Sequence, residues 1–165
     1  MCNSKYIYQK ASELAQIGKP KDIADYLKID IENIDFKKQK GVYAIIEGHK
    51  FIFLKKTLIP PWQNIIILHE IGHDQLHSQT FPYFLDINVF SSNSMEYEAN
   101  LFAAHVLLPD DKILPYIYNG YSKKQIAGLT ETDENLVAIK AFDLVQRGYQ
   151  IDCGIYDSMF LRNSK

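Results

Sequence analysis

Hydrophobic positions recur at helical spacing from near the start of the chain. Ile7, Ala11, Leu14 and Ala15 fall on one side of a helix over residues 4–17, and Gly18 stops it. Pro20 opens a second, short helix through Ile23, Ala24 and Leu27. The pattern then changes. Ile29, Ile31 and Ile34 suggest a short strand, and residues 42–47 and 50–54, rich in β-branched and aromatic side chains, read as two more. Gly48-His49 is the two-residue turn predicted between them. Pro60-Pro61 ends this sheet region and starts a helix over residues 61–77, whose run Ile65-Ile66-Ile67-Leu68 would hold it in the core. Residues 80–94 form an aromatic-containing connection, and Asn93 or Ser94 can cap the next helix, which runs to Pro109. A broken turn of helix around Pro115 follows within residues 110–118, then a short helix over 122–129. A longer helix over 132–147 carries Leu136, Val137, Ala141, Leu144 and Val145 on one side, with Gly148 as its stop. Residues 149–165 show no clear period. The expected fold class is α+β, a small antiparallel or mixed sheet packed on helices.

Composition narrows the picture. A chain of 165 residues has the size of one domain and can bury a core without disulfides. It shows no repeat, linker or low-complexity tract, so residues 1–165 read as a single domain. Apolar residues at 47% exclude a disordered chain, and a net charge of −2 is not the basic footprint of a nucleic-acid binder. The longest stretch free of Asp, Glu, Lys and Arg, residues 57–69, falls short of the about 20 apolar residues of a membrane span. The N-terminus MCNSKYIYQK lacks the apolar run of a secretory signal. Cys2 and Cys153 form no CxxC pair and read as free thiols of a reducing cytoplasm, the expected location. Abundant Ile, Lys, Asn, Tyr and Phe, all encoded by AT-rich codons, point to a low-GC bacterial or phage gene.

The candidate chemistry lies in His69-Glu70-Ile71-Gly72-His73, an HExxH on a predicted helix. Residues i and i+4 share a helix face roughly 6 Å apart, so both imidazoles can converge on one Zn²⁺. Glu70, about 100° round the helix, lies outside that pair but can reach a water in the open position. Gly72 has no side chain and lets another element come close.

A catalytic zinc site needs a third protein ligand. His77 lies two turns, about 12 Å, beyond His69 and is too far to share one ion; it reads as a hydrogen-bonding or packing histidine. His105 is half a turn out of phase with Glu96 and reads as structural. Glu96 and Glu98 point about 160° apart on their helix, so only one can face a metal. Glu96 shares a face with Asn100, near the small residues Ala103 and Ala104. Asn100 could hydrogen-bond a ligating side chain. Glu98 is expected toward a surface or a polar edge, although its phase with Leu101 and Phe102 keeps it a candidate. One of the strands over 42–47 and 50–54 is expected as an exposed edge beside the site, able to bind extended peptide. Tyr97 and Tyr121, among 11 tyrosines, are candidates for a second electrophile.

The segments HEIGHDQLH and EYEANLFAAHVLLP resemble the ImmA/IrrE family of zinc metallopeptidases, whose pattern is HExGHxxxH followed by ExEA[ND]xFAxxLLxP. His105 departs from it, standing where an acidic residue is common. The resemblance extends from about Pro20 to Gly148. It implies a gluzincin-like fold with a zincin-like metallopeptidase core. It further implies His69, His73 and Glu96 as ligands of Zn²⁺ and Glu70 as catalytic base. It also implies a protein substrate, a helix-turn-helix transcriptional repressor of a phage, mobile element or stress switch. Two other functions compete. A zinc-binding module that sequesters a regulatory partner would not need Glu70. A DNA-binding regulator built on the helix-turn-helix-like stretch over residues 123–137 is opposed by the net charge and by the absence of arginine there.

Overall fold

The computed structural model describes residues 4–77 and 93–156. Most of the 80–94 connection, Cys2 and the last nine residues lie outside them. The described residues form helices α1 (Ser4–Ala15), α2 (Pro20–Tyr26), α3 (Pro60–His77), α4 (Asn93–Leu107), α5 (Asp110–Tyr118), α6 (Lys123–Thr130) and α7 (Glu134–Gln146), and a short 3-10 turn (Cys153–Tyr156). Strands β1 (Ile29–Ile34), β2 (Gly41–Ile46) and β3 (His49–Lys55) complete them. The fold is α+β with a mixed, open sheet. Its order is β1-β3-β2, β1 running parallel and β2 antiparallel to the central β3.

Two sequence expectations need correction. The β2–β3 turn is Glu47-Gly48, one residue earlier than predicted, and Ile46 pairs directly with His49. Both turn residues have positive φ, 50° and 83°, as a tight turn matching strand twist requires. Helix α5 is continuous through Pro115. The ring costs one hydrogen bond, but Ile113 and Ile117 anchor the helix in the core, and the Pro115 carbonyl accepts from Asn119 N at 3.1 Å and Asn119 Nδ2 at 2.7 Å.

The core has two parts, with α3 and α4 between them. Ile29, Tyr43, Ile52 and Leu54 of the sheet pack with Ile7 and Leu14 of α1, Ile67, Leu68 and Ile71 of α3 and Phe102 of α4. Ile65 of α3 and Ala104 of α4 turn the other way, toward Ile113, Ile126, Val137 and Leu144. Helix α7 is buried from Leu136 to Ala141, which removes it as a recognition helix for DNA. Helices α3 and α4 approach closely because position 72 is glycine. A Cβ there would sit 3.0 Å from Ala99 Cα and 3.1 Å from Ala99 O.

A buried polar cluster joins α1, α4, α5 and α7. Lys140 Nζ, fully buried, lies 2.6 Å from Asp110 Oδ1 and 2.8 Å from His105 Nδ1. Arg147 bridges Asp110 and Asp143, and Ser4 Oγ donates to Asp143. Buried ions survive only when paired and hydrogen-bonded, as here. His105 is therefore buried among structural partners, in line with its reading. Among the described residues no helix is long and apolar enough to cross a membrane.

Candidate metal centre

With Ile67, Leu68 and Ile71 turned into the core, α3 presents His69 and His73 to α4 one turn apart. Their Nε2 atoms are 3.1 Å from each other, with the rings nearly perpendicular. Glu96, in the first turn of α4, closes the group: Oε2 lies 3.3 Å from His69 Nε2 and Oε1 3.4 Å from His73 Nε2. Among the described residues these three side chains can hold a metal ion together. The separations fit one. Four ligands at 2.0–2.1 Å in a tetrahedron stand about 3.3 Å from one another.

The second nitrogen of His69 is also committed. His69 Nδ1 is 2.9 Å from Asn100 Oδ1, which only accepts, so Nδ1–H donates and Nε2 keeps its lone pair for the centre of the cluster. Asn100 reaches His69 because it stands one turn beyond Glu96 on the same face of α4.

The electrostatics favour a cation at this point. Hydrogen bonds with His69 and then His73 hold the Glu96 carboxyl well below the usual carboxylate range, against the opposing effect of burial. Burial disfavours protonated His69, but Glu96 and Glu70 outweigh it and raise its pKa above the ordinary value. Burial pushes Glu70 up, with His69 and His73 acting the other way.

Glu70 is 8% exposed and its Oε2 accepts from the Tyr43 backbone amide at 3.0 Å. Strand β2 can lie that close because position 41 is glycine. A Cβ there would collide with Ile66 and stand 3.2 Å from Glu70 Oε1. β2 is an edge of the sheet, β3 its sole strand partner among the described residues, so the edge expected beside the site is β2.

Sequence reasoning missed the support beneath this arrangement. Asp74, next to His73, is buried and accepts from Tyr43 Oη at 2.5 Å, and it pairs with Lys50 Nζ at 2.8 Å. It ties β2 and β3 to α3 at the level of the histidines. The available signal is an aspartate at a core-facing position of α3, in phase with Ile67, Glu70 and Ile71. Glu98 also departs from expectation. It is 5% exposed, and its Oε2 faces His77 Nε2 at 3.6 Å. Helix α4 crosses α3 so closely that both sides of its acidic turn face α3. His77 is buried and packs on His73, as a helix-end packing residue would. The tyrosine candidates are engaged elsewhere: Tyr97 packs against the sheet-side core, and the Tyr121 ring lies against Tyr116.

Residues 24–141, most of the chain and all of this site, match the family model described as the IrrE N-terminal-like domain of peptidases. The chain belongs to the IrrE N-terminal-like domain peptidase family. It is also similar to "Uncharacterized immunity region protein 2" of Bacillus phage phi105, 26% identical over 138 residues, which cover 82% of this chain and 87% of that protein. The family match begins within α2 and ends within α7, so it takes in the sheet, α3 and α4 together. In a peptidase family, a His/His/Glu group of this shape with a buried glutamate beside it has the donors of a metal-dependent hydrolase.

Proposed function

We propose that the protein is a zinc-dependent endopeptidase, a single cytoplasmic metallopeptidase domain acting on a protein substrate. The observation that carries this reading is the convergence of His69 Nε2, His73 Nε2 and the Glu96 carboxylate, with the Glu70 carboxylate adjoining. His69, His73 and Glu96 would hold Zn²⁺, with Asn100 fixing the tautomer of His69. A bound zinc would supply Lewis acidity toward the scissile carbonyl and toward water. Glu70 takes a proton from the attacking water and passes it to the leaving amine. The Tyr43 amide and burial hold the carboxylate in place for both transfers.

The substrate we assign is a helix-turn-helix transcriptional repressor of a phage or mobile-element switch. The family resemblance and the likeness to a phage immunity-region protein support it. The test uses purified wild type and Glu70→Gln, each assayed for bound zinc and for cleavage of the helix-turn-helix regulator encoded beside its gene, with casein as general substrate. We expect both proteins to carry zinc, released by chelator. Wild type should cut the regulator and leave casein largely intact, and Glu70→Gln should lose about 10²–10⁴ in turnover. Near wild-type cleavage by the variant would remove Glu70 from the mechanism. A zinc-loaded wild type that binds the regulator without cutting it would favour sequestration.

A further inference from the structure

A groove of about 410 Å³ lies between the start of α3 and the turn joining α6 to α7. Ile59, Trp62 and Ala127 give it apolar walls, and Ile59 is 61% exposed. Gly128 and the carboxylates of Glu131 and Glu134 complete the α6–α7 side. Asp133 also borders it but caps α7 through Asn135 N.

Two local features lack an explanation within the chain. Gly128 sits inside α6, where glycine costs about 1 kcal/mol relative to alanine, yet a Cβ there would meet nothing within 4 Å. Glu131 ends α6 with φ 52°, a left-handed position that glycine or asparagine fills more cheaply. Glu131 and Glu134 make no ion pair among the described residues. Three carboxylates border the groove against two ammoniums, that of Lys124 and that of Lys40, which stacks on Trp62.

The groove and the candidate metal centre lie along the same helix, α3. Lys40 Nζ stacks 4.2 Å over the Trp62 ring, Gly41 next to it packs on Ile66, and Tyr43 reaches Glu70. Strand β2 thus runs along α3 from the groove to the site. Trp62 and Glu70 are eight residues apart on α3, about 12 Å, which an extended chain covers in about four residues.

We propose that this groove docks a basic, amphipathic segment of the substrate protein while a neighbouring stretch lies along β2 at Glu70. This deepens the proposed function and rests on it for the identity of the occupant. DNA-binding proteins carry lysines and arginines to neutralise phosphates. The same charges match an acidic groove with an apolar floor, and selectivity then resides in this chain's own surface.

Trp62 is the sole tryptophan, so its emission reports on the groove directly. The probes are two synthetic peptides of about 12 residues with the same leucine pattern, one bearing arginines and the other glutamates. Full-length protein should show a saturable Trp62 emission shift with the arginine peptide, weaker at high salt, and none with the glutamate peptide. Glu131→Lys/Glu134→Lys should weaken binding at least about tenfold. Gly128→Leu, which fills the groove from a position with open space, should do the same while raising the Tm. Absence of a saturable shift, an equal response to both peptides, or wild-type binding by both variants overturns the proposal. A Trp62 change with protein concentration alone would place a second copy there and overturn it too. Binding is read without turnover. A chain that binds but does not cleave defeats the proposed function alone; one that cleaves without binding defeats the groove alone.

Discussion

His69 Nδ1 and Asn100 Oδ1 stand 2.9 Å apart across the α3–α4 interface, which aims the other nitrogen of that imidazole at Glu96. The second helix therefore supplies both a candidate ligand and the group that orients another. Removing the amide should leave His69 in place but free to rotate. Asn100→Ala is expected to lower zinc affinity about 10–100-fold, measured against a competing chelator, while Asn100→Asp retains most of it. Wild-type affinity in Asn100→Ala would make the contact a packing detail.

The two glutamates of α4 should separate cleanly. Glu96→Ala is expected to lower zinc affinity at least about tenfold. Glu98→Ala should keep the metal and lose stability, by about 1–3 kcal/mol, because it leaves a buried histidine facing a void. Metal titration and urea unfolding of both variants provide the readouts. The reverse ranking would move the third ligand to Glu98.

Gly72 sets the spacing on which the site depends. Gly72→Val should destabilise by about 1–3 kcal/mol through overpacking against Ala99, and zinc affinity should fall with it as α4 is pushed away from α3. A lower Tm with unchanged zinc affinity would show that the metal group tolerates a shift of α4.

Stability should also depend on pH through His105. Burial, then Lys140 and Arg147, push its pKa down to about 2. It faces Lys140 and Asp143 of α7, Asp110 of α5, Tyr8 of α1 and Arg147. A depressed pKa in the fold means that the unfolded chain takes up a proton which the native chain refuses. The contribution is complete above about pH 6.5 and is lost as pH falls from there toward 2. His105→Gln removes this dependence. The stability gap between wild type and variant, from urea midpoints with metal chelated in both, should change by about 1–2 kcal/mol between pH 7.5 and 5, against the wild type. A constant gap would rule out the neutral, buried imidazole.

Local pattern was enough to locate the elements and the chemistry. The apolar period of α1 and α7, the prolines at the start of α2 and α3 and the glycine after α7 mark element ends to within a few residues, because caps and periods act over one turn. The i, i+4 spacing of His69 and His73 is a property of any helix, and Glu96 and Asn100 share a face for the same reason. The β2–β3 turn slipped by one residue because Glu47 adopts a left-handed conformation that its side chain does not advertise. Pro115 was read as a break because local propensity cannot register the burial of Ile113 and Ile117 that carries α5 through it.

What lay beyond the sequence depends on how elements meet. The sheet order that leaves β2 at the edge, the Asp74–Tyr43–Lys50 support, the Glu98–His77 pair and the groove below Trp62 join residues far apart in the chain. Periodicity says which face of a helix is buried but not which neighbour buries it. Phase with Asn100 and the family resemblance point to Glu96 rather than Glu98, but how near it comes to His69 and His73, and that Glu98 is buried against His77, turn on the crossing of α3 and α4 that the Gly72–Ala99 contact permits.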